Sequence, residues 1–213
     1  MRSVRRLGIF LTARQLALID VGLIVLWSVA YVVAEALNVP KRWTFLGVAV
    51  ALILFSIWLA HRHTDTLRDL GLRFDNLRIA LIPIGLGTLI AVATVMTWAV
   101  ATGQSLWRRD MLLLLPIYPL WGVAQQTIFQ GIFHRRLMSL AHGPVFPIVA
   151  TALLFSAVHF GNLKLMGLTF IGGLLCSTAF RRWPNTMALG LSHGILAAVI
   201  YPIVLQDAPI SRI

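Results

Sequence analysis

The chain has 213 residues, 59% of them hydrophobic and 12% charged, with a mean hydropathy of +0.85. Soluble domains carry about a quarter charged residues, so this composition excludes a soluble globular domain and leaves a multi-span membrane protein with the lipid bilayer as its partner. The formal charge of +11 sits in short clusters between apolar runs, which excludes a basic domain able to dock nucleic acid and reads as topology and headgroup contact.

The opening MRSVRRLGIFLTAR has the basic start of a signal peptide. Arg14 interrupts its apolar stretch after seven residues and no small-x-small cleavage site follows, so an uncleaved first span is expected. Apolar segments follow at roughly 16–37, 44–60, 79–101, 111–134, 145–160, 166–180 and 186–205. Most approach the ~20 residues of a spanning helix, while 145–160 and 166–180 are short. Backbone groups in lipid must be satisfied within each segment, so all are helices. The expected fold is an all-α polytopic membrane helix bundle of about seven spans, forming a single transmembrane domain over residues 1–213.

Loop charges orient it. With the N-terminus cytoplasmic, the inner segments hold Arg2, Arg5, Arg6, Arg14, Arg62, Arg68, Arg73, Arg78, Arg135, Arg136, Arg181 and Arg182. The outer ones hold Lys41, Arg42, Arg108, Arg109, Lys164 and Arg212, so the bias favours N-in and, after seven spans, C-out. The expected location is a bacterial plasma membrane. The longest loop, HRHTDTLRDLGLRFDNLR, alternates basic and acidic residues and reads as an interfacial segment or short amphipathic helix on the headgroups. The single cysteine, Cys176, allows no disulfide within the chain and no cysteine metal site.

Polar residues at depth carry the functional signal, because each needs a partner. Asp20 and Glu35 lie towards the two ends of the first span and read as interfacial or as facing a polar interior. From Met111 to Gln206 there is no Asp or Glu. Gln125, Gln126 and Gln130 stand in WGVAQQTIFQGIFHRRL, and Gln126, Gln130 and His134 share an i, i+4, i+8 helix face. His159 ends FSAVHF. His193 lies in GLSHG, where Gly190 and Gly194 form a small-xxx-small step that admits a neighbouring helix. A lone Gln or His in a span is usually an interhelical hydrogen-bonding group; three on one helix with histidines on two others point to one polar pocket. Helix rise puts Gln125 and His193 at one level in the cytoplasmic half, with His159 too high when counted from 145.

These residues, in the order Gln-Gln-x-x-x-Gln-Gly, Phe-x-x-x-His and His, resemble the CAAX protease and bacteriocin-processing (CPBP, or Abi) intramembrane metalloprotease family. Its pattern is Glu-Glu-x-x-x-Arg, Phe-x-x-x-His and His-x-x-x-Asn or Asp. The resemblance covers about residues 115–200, with a motif-bearing core at 111–205. It implies catalytic positions at Gln125, Gln126, Gln130, His159 and His193, metal ligation by His159 and His193, zinc as cofactor, a glutamate as general base, and a membrane peptide or protein as substrate. Phe155 matches the second motif, and Ala197 stands where the family has Asn or Asp.

The departures have chemical content. A glutamine amide cannot take a proton from water near neutral pH, and its carbonyl is a poor zinc ligand. Exchanging both members of the Glu–Arg pair for amides avoids a buried unpaired charge, and Gln126 is expected to hydrogen-bond Gln130. The reading is therefore a CPBP-like protein with a degenerate centre that binds membrane peptides or partners. One alternative is an active metalloprotease recruiting Asp20, Glu35 or Asp110. Another is a small transporter or lipid-binding protein using the glutamine face, although no inverted repeat is visible.

Overall fold

The computed structural model describes residues 12–207; Arg2, Arg5, Arg6 and Arg212, used above for orientation, lie outside the described residues. Among the described residues every regular element is helical: α1 (Ala13–Ala36), α2 (Lys41–His63), α3 (Leu77–Ala101), α4 (Asp110–Gln126), a π-helical segment (Thr127–His134), α5 (Arg135–Leu140), α6 (Val145–Ala157), α7 (Leu163–Arg182) and α8 (Thr186–Ile203). Six helical stretches are long and apolar enough to cross a membrane, and α6 is a shorter apolar helix. A polytopic helical bundle is thus the observed architecture. At 13 residues, α6 rises about 20 Å and falls short of a full span.

α4 and α8 form the most extensively packed helix pair. They run antiparallel in constant register, with Thr127 beside Thr186, Gly122 and Val123 beside Gly190, and Pro119 beside Gly194. A Cβ on Gly190 would lie 2.3 Å from the Val123 Cα, and one on Gly194 would lie 2.3 Å from the Pro119 nitrogen. The small-xxx-small step therefore brings backbone onto backbone.

The helix expected over 111–134 runs on to Leu140, with a π-helical stretch at its centre. Three contacts accompany it. Thr127 donates its hydroxyl to the Val123 carbonyl at 2.8 Å, and Arg135 Nε donates to the Gly131 carbonyl at 3.1 Å. Both side chains engage carbonyls of the helical ladder. Gly131 also faces the Leu70 carbonyl so closely that a Cβ there would sit 2.3 Å from it. Insertions of this kind into the ladder are a recognised cause of local helix distortion.

The loop after α2 differs from expectation. It forms turns, not an amphipathic helix, and it is anchored inward by buried Leu70 and by Gly71 at φ +79°. Thr186 N donates to the Gly71 carbonyl at 2.8 Å, while fully buried Asn185 donates Nδ2 to the Arg73 carbonyl and caps α8 by accepting from Ala188 N. The loop thus fastens the start of α8. Around it, Thr66 hydrogen bonds hold the Asp69 carboxyl below its ordinary range.

Beside this loop is a buried ion cluster. Asp20, fully buried on α1, meets Arg136 Nε at 3.0 Å and His63 Nε2 at 2.6 Å, and Asp65 meets Arg135 and Arg136 at 2.6 Å each. Asp20 is therefore a tie between α1, α2 and α5, not an interfacial group. This end of the bundle is called the basic face below.

If the glycine contact sets the bundle, Gly190→Ala should lower stability by about 1–3 kcal/mol or more, because the added methyl meets backbone. Gly85→Ala, whose methyl meets nothing within 4 Å, should leave the melting temperature of the detergent-solubilised chain intact. Equal melting for both would remove this account.

Candidate functional site

A cavity of about 260 Å³ opens between α1, α2, α4, α6, α7 and α8. Gln125, His159 and His193 all line it, as do Phe155 and Ala197. Three segments far apart in sequence thus bring polar residues to one cavity.

Each is positioned by its helix. The α4–α8 register sets His193 level with Leu120, about 8 Å along the axis from Gln125, so the two do not share the single level that helix rise suggested. Because Cβ atoms lean towards their own helix N-terminus, Gln125 and His193 lean towards one another across the antiparallel pair. His159 sits on the turn just after α6. Gln125 lies fifteen residues before Leu140 and His159 fourteen after Val145, so the two climb nearly equal distances from one short turn. The mismatch in level disappears because the fourth long helix continues six residues further than the apolar pattern indicates.

One aromatic ring gathers the imidazoles. Phe155 stands edge-on to His159 at 5.2 Å and to His193 at 5.5 Å, with Phe129 behind it at 5.0 Å. His159 Nδ1 lies 2.7 Å from the Phe155 carbonyl. A carbonyl only accepts, so Nδ1 carries the hydrogen, and the neutral ring keeps its Nε2 lone pair for another partner.

Gln126 and Gln130 do not reach this cavity; both are fully buried elsewhere. Adjacent residues on a helix diverge by about 100°, so Gln125 and Gln126 cannot face one wall together. Nor do Gln126 and Gln130 bond one another, since both ends of the Gln126 amide and Gln130 Oε1 lack a hydrogen-bond partner. The π-helical segment begins between them and widens the turn that i, i+4 pairing needs.

The three carboxylates outside the motifs part company. Asp20 belongs to the ion cluster, and Asp110 lies 3.8 Å from Arg108 at the other end of α4. Glu35 alone of the three lines the cavity, on a stripe with Ile24, Ser28 and Tyr31. It accepts from Thr44 at 3.3 Å and is hydrogen-bonded by Tyr31. The spacing of that stripe, 24, 28, 31 and 35, is the signal by which a sequence reading could have placed it. Ser192 was also missed. It lines the cavity and shares a 2.6 Å hydrogen bond with Thr88 of α3.

Zinc can be tested against these donors. Three good protein ligands are typical of a catalytic zinc site. Among the described residues no group of three His, Cys, Asp or Glu stands close enough to hold a metal ion. His159 and His193 with a glutamine amide do not fit zinc, and no step is assigned to it.

Convergence on one cavity has a direct check. In a Cys176→Ser background, the pair His159→Cys with His193→Cys should be joined by a short bifunctional thiol reagent, seen as a mass shift of the intact chain. Gln126→Cys with His193→Cys should remain unjoined. The opposite pattern would separate the two histidines.

Residues 107–199 match the family described as type II CAAX prenyl endopeptidase Rce1-like. No curated protein and no solved structure matches the chain. The matched stretch contains α4, the π-helical segment, α5, α6, α7 and most of α8, and with them Gln125, His159 and His193. An Rce1-like, CPBP-family domain match thus spans residues 107–199, a little under half of the chain, within a bundle whose helices are long and apolar enough to cross a membrane.

Proposed function

We propose that the chain binds a membrane-embedded peptide or protein segment at the cavity and does not hydrolyse it by the family's route. The observation that carries this reading is Gln125, an amide, lining the same cavity as His159 and His193, where the resemblance calls for a glutamate. An amide offers no proton acceptor to activate water, and a positioned general base contributes about 10²–10⁴-fold to such reactions. The two imidazoles, one with its Nε2 lone pair available, remain able to hydrogen-bond a peptide. On this reading the basic face is cytoplasmic, as the loop charges favour, the membrane is a bacterial plasma membrane, and the whole chain, with α1 closing the cavity, acts as one transmembrane domain.

The experiment uses full-length chain in nanodiscs with a fluorescent prenylated CAAX peptide. Binding without cleavage is expected, and His159→Ala or His193→Ala should weaken binding. Gln125→Glu should introduce cleavage, with a gain of up to about 100-fold over background, since it restores a carboxylate at the wall. Cleavage by the unmodified chain that disappears in either histidine variant overturns the reading.

A second reading is favoured by Glu35, which brings a carboxylate to the same cavity from outside the matched domain. On this reading Glu35 takes the proton of the attacking water and the chain is an active endopeptidase. The distinguishing variant is Glu35→Gln. It should abolish cleavage if the carboxylate is the base; cleavage that persists in that variant eliminates this reading.

A further inference from the structure

We propose that the π-helical segment holds a file of bound water molecules, running from the basic face towards the cavity along His134, Gln130 and Gln126, with Ser177 of α7 contributing its hydroxyl. The inference concerns side chains that lie off the cavity wall and holds whether or not the site hydrolyses anything.

Four buried side chains carry it. Gln126, Gln130, His134 and Ser177 are each at most 1% exposed. Gln126 Nε2 and Oε1, Gln130 Oε1, His134 Nε2 and Ser177 Oγ have no hydrogen-bond partner. Buried polar atoms in folded proteins are nearly all paired, with protein or with ordered water. Five such atoms, on the end of α4, the π-helical segment and α7, require a shared explanation.

The roles of these atoms identify the ligand. His134 Nδ1 lies 3.2 Å from the Pro147 carbonyl and 3.2 Å from Thr151 Oγ1, whose own hydroxyl donates to the Pro147 carbonyl at 2.7 Å. The carbonyl only accepts, so Nδ1 bears the hydrogen and Nε2 of the neutral ring is a bare acceptor. Gln130 Oε1 is an acceptor as well. Two acceptors cannot satisfy each other, and neither is reached by the Gln126 amide or the Ser177 hydroxyl, which are themselves unpartnered. The donor must be small, because all four residues are buried. It must also accept, because Gln126 Nε2 has a hydrogen to give. A cation does not serve: it has no lone pair for the Gln126 amide hydrogen, and Arg135 and Arg136 follow His134 directly in the chain. Water donates two hydrogen bonds and accepts two, and a buried water typically makes about three.

The four residues lie between the cavity and the basic face. Gln126 is the immediate neighbour of Gln125, which lines the cavity. His134 adjoins Arg135, whose side chain is 29% exposed where it meets Asp65. Between them Gln130 lies one turn from each. On the facing helix, Ser177 sits one turn before Phe180, whose ring stands edge-on 6.4 Å from His134.

The test uses full-length chain in lipid bilayers, with histidine and glutamine labelled with nitrogen-15 and isoleucine and phenylalanine with carbon-13, read by water-edited solid-state NMR. Magnetisation from water should reach the His134 ring and the Gln126 and Gln130 amides at least roughly twofold faster than it reaches buried Ile132 and Phe133. The His134 signals should show hydrogen on Nδ1 and none on Nε2. Two results overturn the proposal. One is transfer to all three side chains no faster than to Ile132. The other is a direct coupling from the Gln130 amide hydrogen to His134 Nε2, in which case the two side chains satisfy each other.

Discussion

The close approach of α4 to α8 is the constraint from which the site follows. Glycines at 122, 190 and 194 let the two backbones touch, and in lipid such packing supplies much of the drive for helix association. Once that contact is made, the antiparallel register determines the depth of everything on α8. His193 cannot slide relative to Gln125, because a shift of one residue would put a side chain of α8 into the α4 backbone. The same register stops α8 at Thr127, well short of the basic face, and leaves room for the loop after α2 to rise beneath it.

Charge and neutrality are divided along the long central helix. Its α5 end carries Arg135 and Arg136, tied to Asp65 and, through Arg136, to Asp20. Its middle carries only amides and an imidazole. Removing one partner from a buried ion pair costs about 3–5 kcal/mol, whereas exchanging the whole pair for neutral groups is often tolerated. Gln126 and Gln130 are consistent with the second course, although they do not form the amide pair that their spacing suggests. The buried ionic interactions that hold α1 to the rest of the bundle lie instead at the basic face.

The helical membrane architecture was legible in hydropathy alone, because the bilayer demands long apolar helices and leaves few alternatives. The glycine step at 190 and 194 was legible as well, since small residues at that spacing have one dominant use in a span. The meeting of Gln125, His159 and His193 could be inferred from their types, yet the level of His159 could not. A pattern of apolar residues does not say where a helix stops when polar residues such as Arg135 and Arg136 continue it. The π-helical segment was invisible for a related reason. It depends on a carbonyl from Leu70, distant in sequence, meeting Gly131, and no local propensity records that contact. Asp20 and Glu35 looked alike as lone acids near the ends of one helix. Only packing separates them, one into an ion cluster and the other onto the cavity.

The wall that α1 gives to the cavity lies outside the residues matched to the family. The histidines and Gln125 thus lie within the matched stretch, while Ile24, Trp27, Ser28, Tyr31 and Glu35 lie outside it. A substitution at the polar end of that stripe, at Tyr31 or Glu35, would therefore alter the lining of the cavity while leaving every residue matched to the family unchanged.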